Sequence, residues 1–296
     1  MIGLTSERIA EELQSFQAKL AQGTQTLRGL GEIETGVSPR EAVYQEDKLT
    51  LYWYRPRVEK PHPVPLLIVY ALVNRPYMMD LQEDRSLIRG LLDAGLDVYL
   101  IDWGYPDAAD RTLSLAEYIQ RYIGHCVDVM RERCGQDAIN LLGVCQGGTL
   151  SLCFSSLYPE KIRNLVTMVT PVDFHTPDNL LTHLIRHVDV DLLVDTLGNL
   201  PGQLLHFTFL SLSPFRLTGQ KYVDLIDILD DAQALKNFLR MENWIFDSPD
   251  QAGEAFRQFA KDFFQQNKLV KGEVNIGDQR VSLGNIAMPV LNVYAA

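Results

Sequence analysis

The chain has 296 residues, of which 46% are apolar and 22% charged, and its formal net charge is −11. This composition is typical of a globular protein with one large α/β domain carrying insertions, or with two small domains. We expect no nucleic-acid-binding surface, because no basic patch is visible, and no transmembrane segment, because no uncharged apolar stretch is long enough. The four cysteines lack metal-binding and disulfide spacing, so we expect free thiols in a reducing, cytoplasmic compartment and no metal site.

An amphipathic helix is expected near the N-terminus, from Thr5 to about Leu30. Its apolar residues recur at helical spacing, with charged residues and glutamines between them: Ile9, Leu13, Phe16 and Leu20. Such a helix packs on its own domain or docks a partner subunit, and the sequence leaves both interpretations open.

The following segments alternate between strands and helices. The stretch "EAVYQEDKLTLYWYRP" is typical of antiparallel strands at a sheet edge. Buried strands are indicated by the run Pro65 to Leu72 and by "LDVYLIDWG", "AINLLGVC" and "RNLVTMVTPVDF", and helical patterns separate them, with stops at Gly95 and Gly135. This alternation predicts an α/β fold: a mostly parallel sheet, covered by helices on both faces and joined by right-handed crossovers.

The alternation stops after Phe174. From His175 to about Gly284 the sequence is mostly helical, and the strand pattern returns once, in "AMPVLNVYAA". We therefore expect four parts: an N-terminal helical segment (1–33), the first part of the α/β core (34–174), a helical cap insertion (175–286) and a core strand (287–296). The insertion is rich in aromatic residues that pack the cap, line an apolar channel or form the contact of a homodimer: Phe207, Phe209, Phe215, Trp244, Phe246, Phe256, Phe259, Phe263 and Phe264.

Cys145 directly follows a predicted buried strand and precedes a predicted helix. Gly143 and Gly147 lie two residues either side of it, as in the Gly-x-Ser-x-Gly turn that carries a nucleophile, and Gly148 gives the helix room to pack. The helix directs N–H groups and the positive end of its dipole at the sulfur, which favours the thiolate. This pattern predicts a catalytic Cys145 at the carboxyl edge of the sheet. The remaining cysteines, Cys126, Cys134 and Cys153, are expected to be buried thiols.

A nucleophile in this position needs an oxyanion hole. We expect the backbone N–H of Gln146 to form one half and the backbone N–H of Val73, in the loop "ALVNRPYMM", to form the other. Asn74 and Arg75 follow Val73 directly and are candidate substrate-binding residues.

The base and the acid that would serve the thiol are not evident. In this fold the chain order is nucleophile, acid, histidine, so both are expected beyond Ala296. Among the six histidines, His175 follows a strand but is out of order, and structural roles are expected for all six. Asp102 and Asp173 also end strands, and we expect them to fix loops.

These segments together resemble a known family. "LLIVYALVNRPYMMDL", "GLDVYLIDWGYPD", "NLLGVCQGGT", "NLVTMVTPVDF" and "MENWIFDSPDQAGEAFRQF" are similar to the catalytic subunit of polyhydroxyalkanoate synthases, and the short N-terminal part resembles the class III, two-subunit type. The resemblance implies an α/β-hydrolase core with a helical cap, acyltransferase activity and Cys145 as the nucleophile. This thiol would attack the thioester of a 3-hydroxyacyl-coenzyme A, release coenzyme A and pass the acyl group to a growing polyester.

The resemblance also implies partners. It implies a second synthase subunit and a polyester granule surface in the cytoplasm, with no cofactor because the coenzyme A thioester is the substrate. Arg75 is expected to meet the phosphates of coenzyme A or to form a salt bridge with a nearby acid. Since the family's aspartate and histidine are not found, we expect a C-terminally truncated chain that is inactive alone and poorly soluble because a sheet edge is exposed.

Two alternatives remain open. A cysteine hydrolase of the dienelactone hydrolase kind has a similar elbow on the same core, but it lacks a long cap. A non-catalytic, granule-associated hydrolase-like protein would need neither acid nor base.

Overall fold

The computed structural model describes residues 14, 19, 21, 22, 26–31 and 33–294. Ile9, Leu13, Phe16 and Leu20 of the predicted N-terminal helix lie outside the described residues. The described positions 14, 19, 21, 22 and 26–29 are helical. Leu30 is buried in a small cluster with Leu229 and Leu235, so this end of the segment packs on its own chain.

Seven strands form the central sheet. They are β1 (Arg40–Glu46), β2 (Leu49–Tyr54), β3 (Leu66–Val69), β4 (Val98–Asp102), β5 (Ile139–Val144), β6 (Ile162–Met168) and β7 (Val290–Val293). Their spatial order is β1-β2-β4-β3-β5-β6-β7. The β1–β2 and β2–β4 pairs are antiparallel, and the other four pairs are parallel. The predicted mostly parallel sheet with an antiparallel edge is therefore confirmed.

Three helices connect the parallel strands. They are α1 (Leu87–Asp93), α2 (Gly124–Cys134), which continues a π-helical segment at Glu117–Ile123, and α3 (Gln146–Leu157). Gly95 and Gly135 follow α1 and α2 with φ of +85° and +62°. These left-handed conformations suit glycine, and they end the helices where the sequence predicts.

The side chains of β3 alternate between two apolar layers, as the period of a strand requires. Leu67 and Val69 pack in the layer that holds α2 and α3, whereas Leu66 and Ile68 pack in the layer that holds α1. The sheet is thus covered on both faces. In such a sheet, a ligand-binding site forms among the loops at the carboxyl ends of the strands.

The chain after β6 is mostly helical, as predicted. Its helices are α4 (Leu180–Ile185), α5 (Val190–Leu197), α6 (Gly202–Ser211), α7 (Lys221–Asp227), α8 (Ala232–Phe246), α9 (Gly253–Gln258) and α10 (Lys268–Lys271), with π-helical segments at Phe215–Gln220 and Phe259–Gln265. A two-stranded hairpin, Asn275–Ile276 with Gln279–Arg280, interrupts this region. The sequence pattern missed it because two-residue strands are too short to show a period. Within the described ranges, no helix combines the length and apolar character needed to cross a membrane.

The helical region packs in two ways. Side chains of α4 to α8, which we call the cap helices, share a cavity with the carboxyl ends of the strands. Farther along, Phe259, Phe263 and Ile276 join the apolar layer that contains Leu150 and Phe154 of α3. The last part of the region therefore contributes to the core of the sheet layer, and the domain limits given above stay a prediction.

Candidate active site

Cys145 occupies the tight turn between β5 and α3. Its φ is +54° and its ψ is −126°, a region that non-glycine residues rarely adopt. The Cys145 N–H donates to the Met168 carbonyl at the end of β6, at 2.9 Å. Such strain persists only where neighbouring structure imposes it, and here the strained residue lines the cavity at the carboxyl ends of the strands. The predicted strand–cysteine–helix turn is present, and the catalytic role of Cys145 stays a prediction.

The three elbow glycines lie where a larger residue does not fit. A Cβ on Gly147 would lie 2.2 Å from the Val69 carbonyl oxygen, and a Cβ on Gly148 would lie 1.9 Å from Thr170 Oγ1. A Cβ on Gly143 would lie 2.5 Å from Gly148 Cα. Close packing of α3 against β3 and β5 therefore depends on the absence of side chains at these positions.

The Cys145 thiol is exposed, but it opens into a cavity rather than onto the outer surface. Enclosure by the cavity walls raises the pKa of the thiol above its ordinary value, although a hydrogen bond from the Gln146 N–H acts in the opposite direction. The helix start thus stabilises the thiolate as expected, but desolvation outweighs it. Cys126 and Cys153 are buried as predicted, whereas Cys134 is only partly buried, contrary to the prediction.

The two predicted oxyanion donors flank the cavity. The Gln146 N–H lies close enough to the Cys145 thiol to favour a lower pKa, and the Gln146 side chain accepts a hydrogen bond from the Leu72 N–H at 3.0 Å. This hydrogen bond ties the elbow to the loop immediately before Val73. Val73 lines the same cavity as Cys145, and its N–H has no hydrogen-bond partner within the described part of the chain. The arrangement leaves the Val73 N–H available, and its role in an oxyanion hole stays a prediction.

Asn74 also lines the cavity, but its side chain binds the protein rather than leaving its amide free for a substrate. Its Nδ2 donates to the carbonyl oxygens of Trp244 at 3.1 Å and Ile245 at 3.3 Å, and to Ser248 Oγ at 3.0 Å. The Asn74 amide nitrogen is therefore used within the chain, and a substrate-binding role for Asn74 stays a prediction.

Arg75 forms the salt bridge that the sequence left as an alternative. Its guanidinium pairs with Asp102 at 2.8 Å and donates to the Gly104 carbonyl at 2.8 Å, and both charged side chains are about nine-tenths buried. The guanidinium also lies 4.2 Å from the centre of the Tyr105 ring. Arg75 thus forms the expected salt bridge and is largely enclosed, and its binding of substrate phosphates stays a prediction. Asp102 has the loop-fixing role that was predicted, and it also accepts from the Gly104 N–H.

The histidines and Asp173 have mostly structural contacts. Asp173 accepts from the His175 N–H at 2.9 Å and from Asn267 Nδ2 at 2.8 Å, which fixes its loop as expected. His175 Nε2 donates to the Phe264 carbonyl oxygen at 2.9 Å, and His175 is not among the residues that line the cavity with Cys145. His206 departs from the expectation of satisfied histidines. It is buried in the cap, lines the cavity, and its Nε2 has no partner among the described residues.

A cavity of about 950 Å³ lies between the carboxyl ends of the strands and the cap helices. Apolar side chains of the cap line most of it, including Leu181, Leu184, Ile185, Leu193 and Leu205. The aromatic residues of the insertion divide into three groups. Phe209, Trp244, Phe256, Phe259 and Phe264 line the cavity, Phe263 is buried in the core, and Phe207, Phe215 and Phe246 are exposed. The cavity therefore offers an apolar site beside the Cys145 thiol.

Trp244 lines the cavity as one of the two predicted possibilities for the aromatic residues, but sequence reasoning missed its contacts with the Asn74 loop, and it missed Ser248. Trp244 lines the cavity, accepts the Asn74 bond through its carbonyl and donates its indole N–H to the Arg75 carbonyl at 2.8 Å. Trp244 and Ser248 lie in "MENWIFDSPDQAGEAFRQF", one of the segments that carry the family resemblance. No local sequence pattern indicates that they contact the Asn74 loop, which is far away in the chain. In the described ranges, no cluster of three or more His, Cys, Asp or Glu side chains is arranged to hold a metal ion.

The class of protein follows from this geometry and from sequence comparison. A parallel sheet with a strained nucleophile turn at the carboxyl end of a central strand, below a helical cap, defines an α/β-hydrolase fold. The profile of the alpha/beta hydrolase fold family matches residues 64–296. The profile of the poly-beta-hydroxybutyrate polymerase (PhaC) N-terminus matches residues 6–91.

The chain belongs to the family of the poly(3-hydroxyalkanoate) polymerase subunit PhaC. It is 61% identical to that subunit from Allochromatium vinosum over 296 residues, which are 99% of this chain and 83% of the relative. It is 59% identical to the subunit from Thiocystis violacea, over 99% of this chain and 83% of the relative. It is 57% identical to the subunit from a Synechocystis species, over 99% of this chain and 79% of the relative. These relatives favour neither the hydrolase nor the non-catalytic alternative.

Proposed function

We propose that the protein transfers the acyl group of a 3-hydroxyacyl-coenzyme A to Cys145 and then to the hydroxyl end of a growing polyester. The observation that carries this proposal is the Cys145 thiol, which is held in a strained turn and exposed to a large apolar cavity. The family to which the chain belongs supports the same reaction.

In the first step the Cys145 sulfur attacks the thioester carbonyl carbon, and the carbonyl oxygen becomes negatively charged. The N–H groups of Gln146 and Val73 stabilise this charge. The bond to the coenzyme A sulfur then breaks, coenzyme A leaves as a thiolate that takes up a proton, and the acyl group stays on Cys145.

In the second step the 3-hydroxyl oxygen of another unit attacks the acyl-cysteine carbonyl. The hydroxyl loses its proton, an ester bond forms and the Cys145 sulfur is released. Water in the same position would hydrolyse the acyl-cysteine, so an apolar cavity that disfavours water supports transfer over hydrolysis. The apolar lining from the cap helices also suits a polyester chain.

The thiol needs help to ionise. Because enclosure raises its pKa, Cys145 is mostly protonated at neutral pH, and the first step requires a base that accepts this proton. His175, the histidine that the sequence singled out, bonds to the Phe264 carbonyl and does not line the cavity beside Cys145, so the geometry does not support it as that base.

We further propose that the protein acts in the cytoplasm with a second synthase subunit at a polyester granule surface, and as a homodimer. The relatives are named as polymerase subunits, which supports a multi-subunit enzyme. The cap helices also expose large apolar side chains, such as Leu192, Leu197 and Phe207, which suits an apolar surface.

The test is to incubate the protein with radiolabelled 3-hydroxybutyryl-coenzyme A, or a labelled analogue that cannot elongate, and to map the adduct by peptide mass spectrometry. We expect label on Cys145 and its loss in Cys145→Ala. Cys134→Ala is the matched control, since Cys134 is the other thiol that is not fully buried, and it should keep the label. Label on any other cysteine would contradict the proposal.

A further inference from the structure

The loop that carries Val73 is attached to the cap by the next residue, Asn74. The amide nitrogen of Asn74 has two hydrogens and lies within hydrogen-bond distance of three acceptors at the end of α8: the carbonyls of Trp244 and Ile245, and Ser248 Oγ. Carbonyl oxygens only accept hydrogen bonds, so the nitrogen and not the oxygen of the amide faces them. The Asn74 side chain thus reaches from the loop at the sheet edge to the end of α8.

The backbone of this loop is held on both sides of Val73. Before it, the Leu72 N–H donates to the Gln146 side chain of the elbow. After it, Asn74 adopts a left-handed φ of +58°, and the Arg75 carbonyl accepts the indole N–H of Trp244. A left-handed conformation is unfavourable for a non-glycine residue unless contacts compensate for it, and the three amide contacts of Asn74 do so.

The geometry points to Asn74 as a positioning residue for the acyl transfer proposed above. Its amide holds the loop in the left-handed turn that presents the Val73 N–H at the cavity, so the second oxyanion donor is in place only while the loop and α8 are joined. Movement of the end of α8 away from the sheet would therefore disable the transfer as well as open the cavity. This inference rests on the proposed function of Cys145.

A purely structural tether would affect stability alone, so the readout must report the oxyanion contact itself. The carbonyl stretching frequency of an acyl group on Cys145 falls when N–H groups donate to its oxygen. The acyl group is introduced with p-nitrophenyl butyrate carrying ¹³C at the carbonyl. Alkaline buffer is used so that the thiol ionises without a base. The p-nitrophenolate burst gives the acylation rate, and difference infrared spectra against unlabelled ester give the frequency.

Two variants separate the effect of the Asn74 amide contacts from the effect of the backbone conformation at this residue. Asn74→Gly favours the left-handed φ but removes the amide, and Asn74→Asp keeps the shape but places acceptors opposite the Trp244 and Ile245 carbonyls. Asn267→Gly is the matched control, because Asn267 is also a left-handed asparagine, with φ of +51°, whose side chain ties a loop, at Asp173 and Phe174. Thermal unfolding of each variant shows whether it folds cooperatively.

We expect both Asn74 variants to raise the acyl carbonyl frequency toward that of a free thioester. We also expect them to slow acylation roughly 10- to 100-fold, with little change in the ester concentration at half-maximal rate, because a donor misplaced by about 1 Å loses transition-state stabilisation. Asn267→Gly should lower the unfolding temperature without moving the frequency. A wild-type frequency that both Asn74 variants retain would overturn the inference, whereas a wild-type protein that is not acylated at Cys145 would overturn the proposed function.

Discussion

At the residue scale, two physical effects act against each other on Cys145. The turn places the sulfur at the start of α3, where the Gln146 N–H favours the thiolate, while the cavity walls remove water and favour the neutral thiol. The second effect is the larger one, because no cation lies among the influences on this thiol. Cys145 is thus a nucleophile held in position but kept protonated until a base acts on it.

This balance predicts the pH dependence of Cys145 alkylation. Iodoacetamide reacts with the thiolate, so a raised pKa shifts the rise of the rate to higher pH than for an unfolded cysteine peptide, whose pKa is about 8.5. We expect the rate for Cys145 to keep increasing above that value. The measurement is peptide mass spectrometry at a series of pH values.

Cys126 and Cys153 provide an internal control for this experiment. Both are fully buried, so they should react only after unfolding in denaturant. A Cys145 rate that levels off below the pH at which the peptide reacts fully would contradict a raised pKa.

At the element scale, the site depends on how closely α3 approaches β3. Gly147 lies against the Val69 carbonyl and Tyr70, and this contact brings the start of α3 beside the loop that holds Val73. The strand-and-helix alternation was predictable because periods of 2 and 3.6 are local patterns. The ion-pair partner of Arg75 was not predictable from the sequence. Several acidic residues were available, and only the packing of β3 beside β4 selects Asp102.

Gly147→Ala tests this approach. The added Cβ would meet backbone atoms, which do not move aside as a side-chain end would, so we expect the free energy of unfolding to fall by about 3 kcal/mol. Urea denaturation measures the change. Gly90→Ala in α1 is the control, because nothing lies within 4 Å of its Cβ, and it should raise the free energy of unfolding by about 0.5–1 kcal/mol. Equal effects of the two substitutions would show that the close approach is unimportant.

At the scale of the whole molecule, the net negative charge of the protein repels the proposed substrate, which is also negatively charged. The net charge is −11, and coenzyme A carries several negative phosphate charges. Arg75, the cation nearest the proposed oxyanion loop in the sequence, is neutralised by Asp102. Long-range repulsion should therefore weaken the capture of acyl-coenzyme A at low ionic strength.

Added salt should relieve this repulsion. As the Debye length falls to about 10 Å at 0.1 M, we expect the KM for 3-hydroxybutyryl-coenzyme A to fall several-fold from its value at low salt. Steady-state release of coenzyme A measures this effect. The neutral N-acetylcysteamine thioester should show no such change. A KM for the coenzyme A substrate that rises with salt would instead reveal a local basic contact.

The local patterns of the sequence are sufficient for the sheet, its helices and the Gly143–Cys145–Gly147 turn, because strand period, helix stops and elbow spacing involve neighbours in the chain. Only the tertiary structure decides what Asn74 and Arg75 contact, how large the cavity is and how readily Cys145 ionises. Asn74 binds Trp244, 170 residues away, and Arg75 pairs with an acid on another strand. The cavity into which Cys145 opens is likewise lined in large part by cap helices far along the chain, which no local period can place.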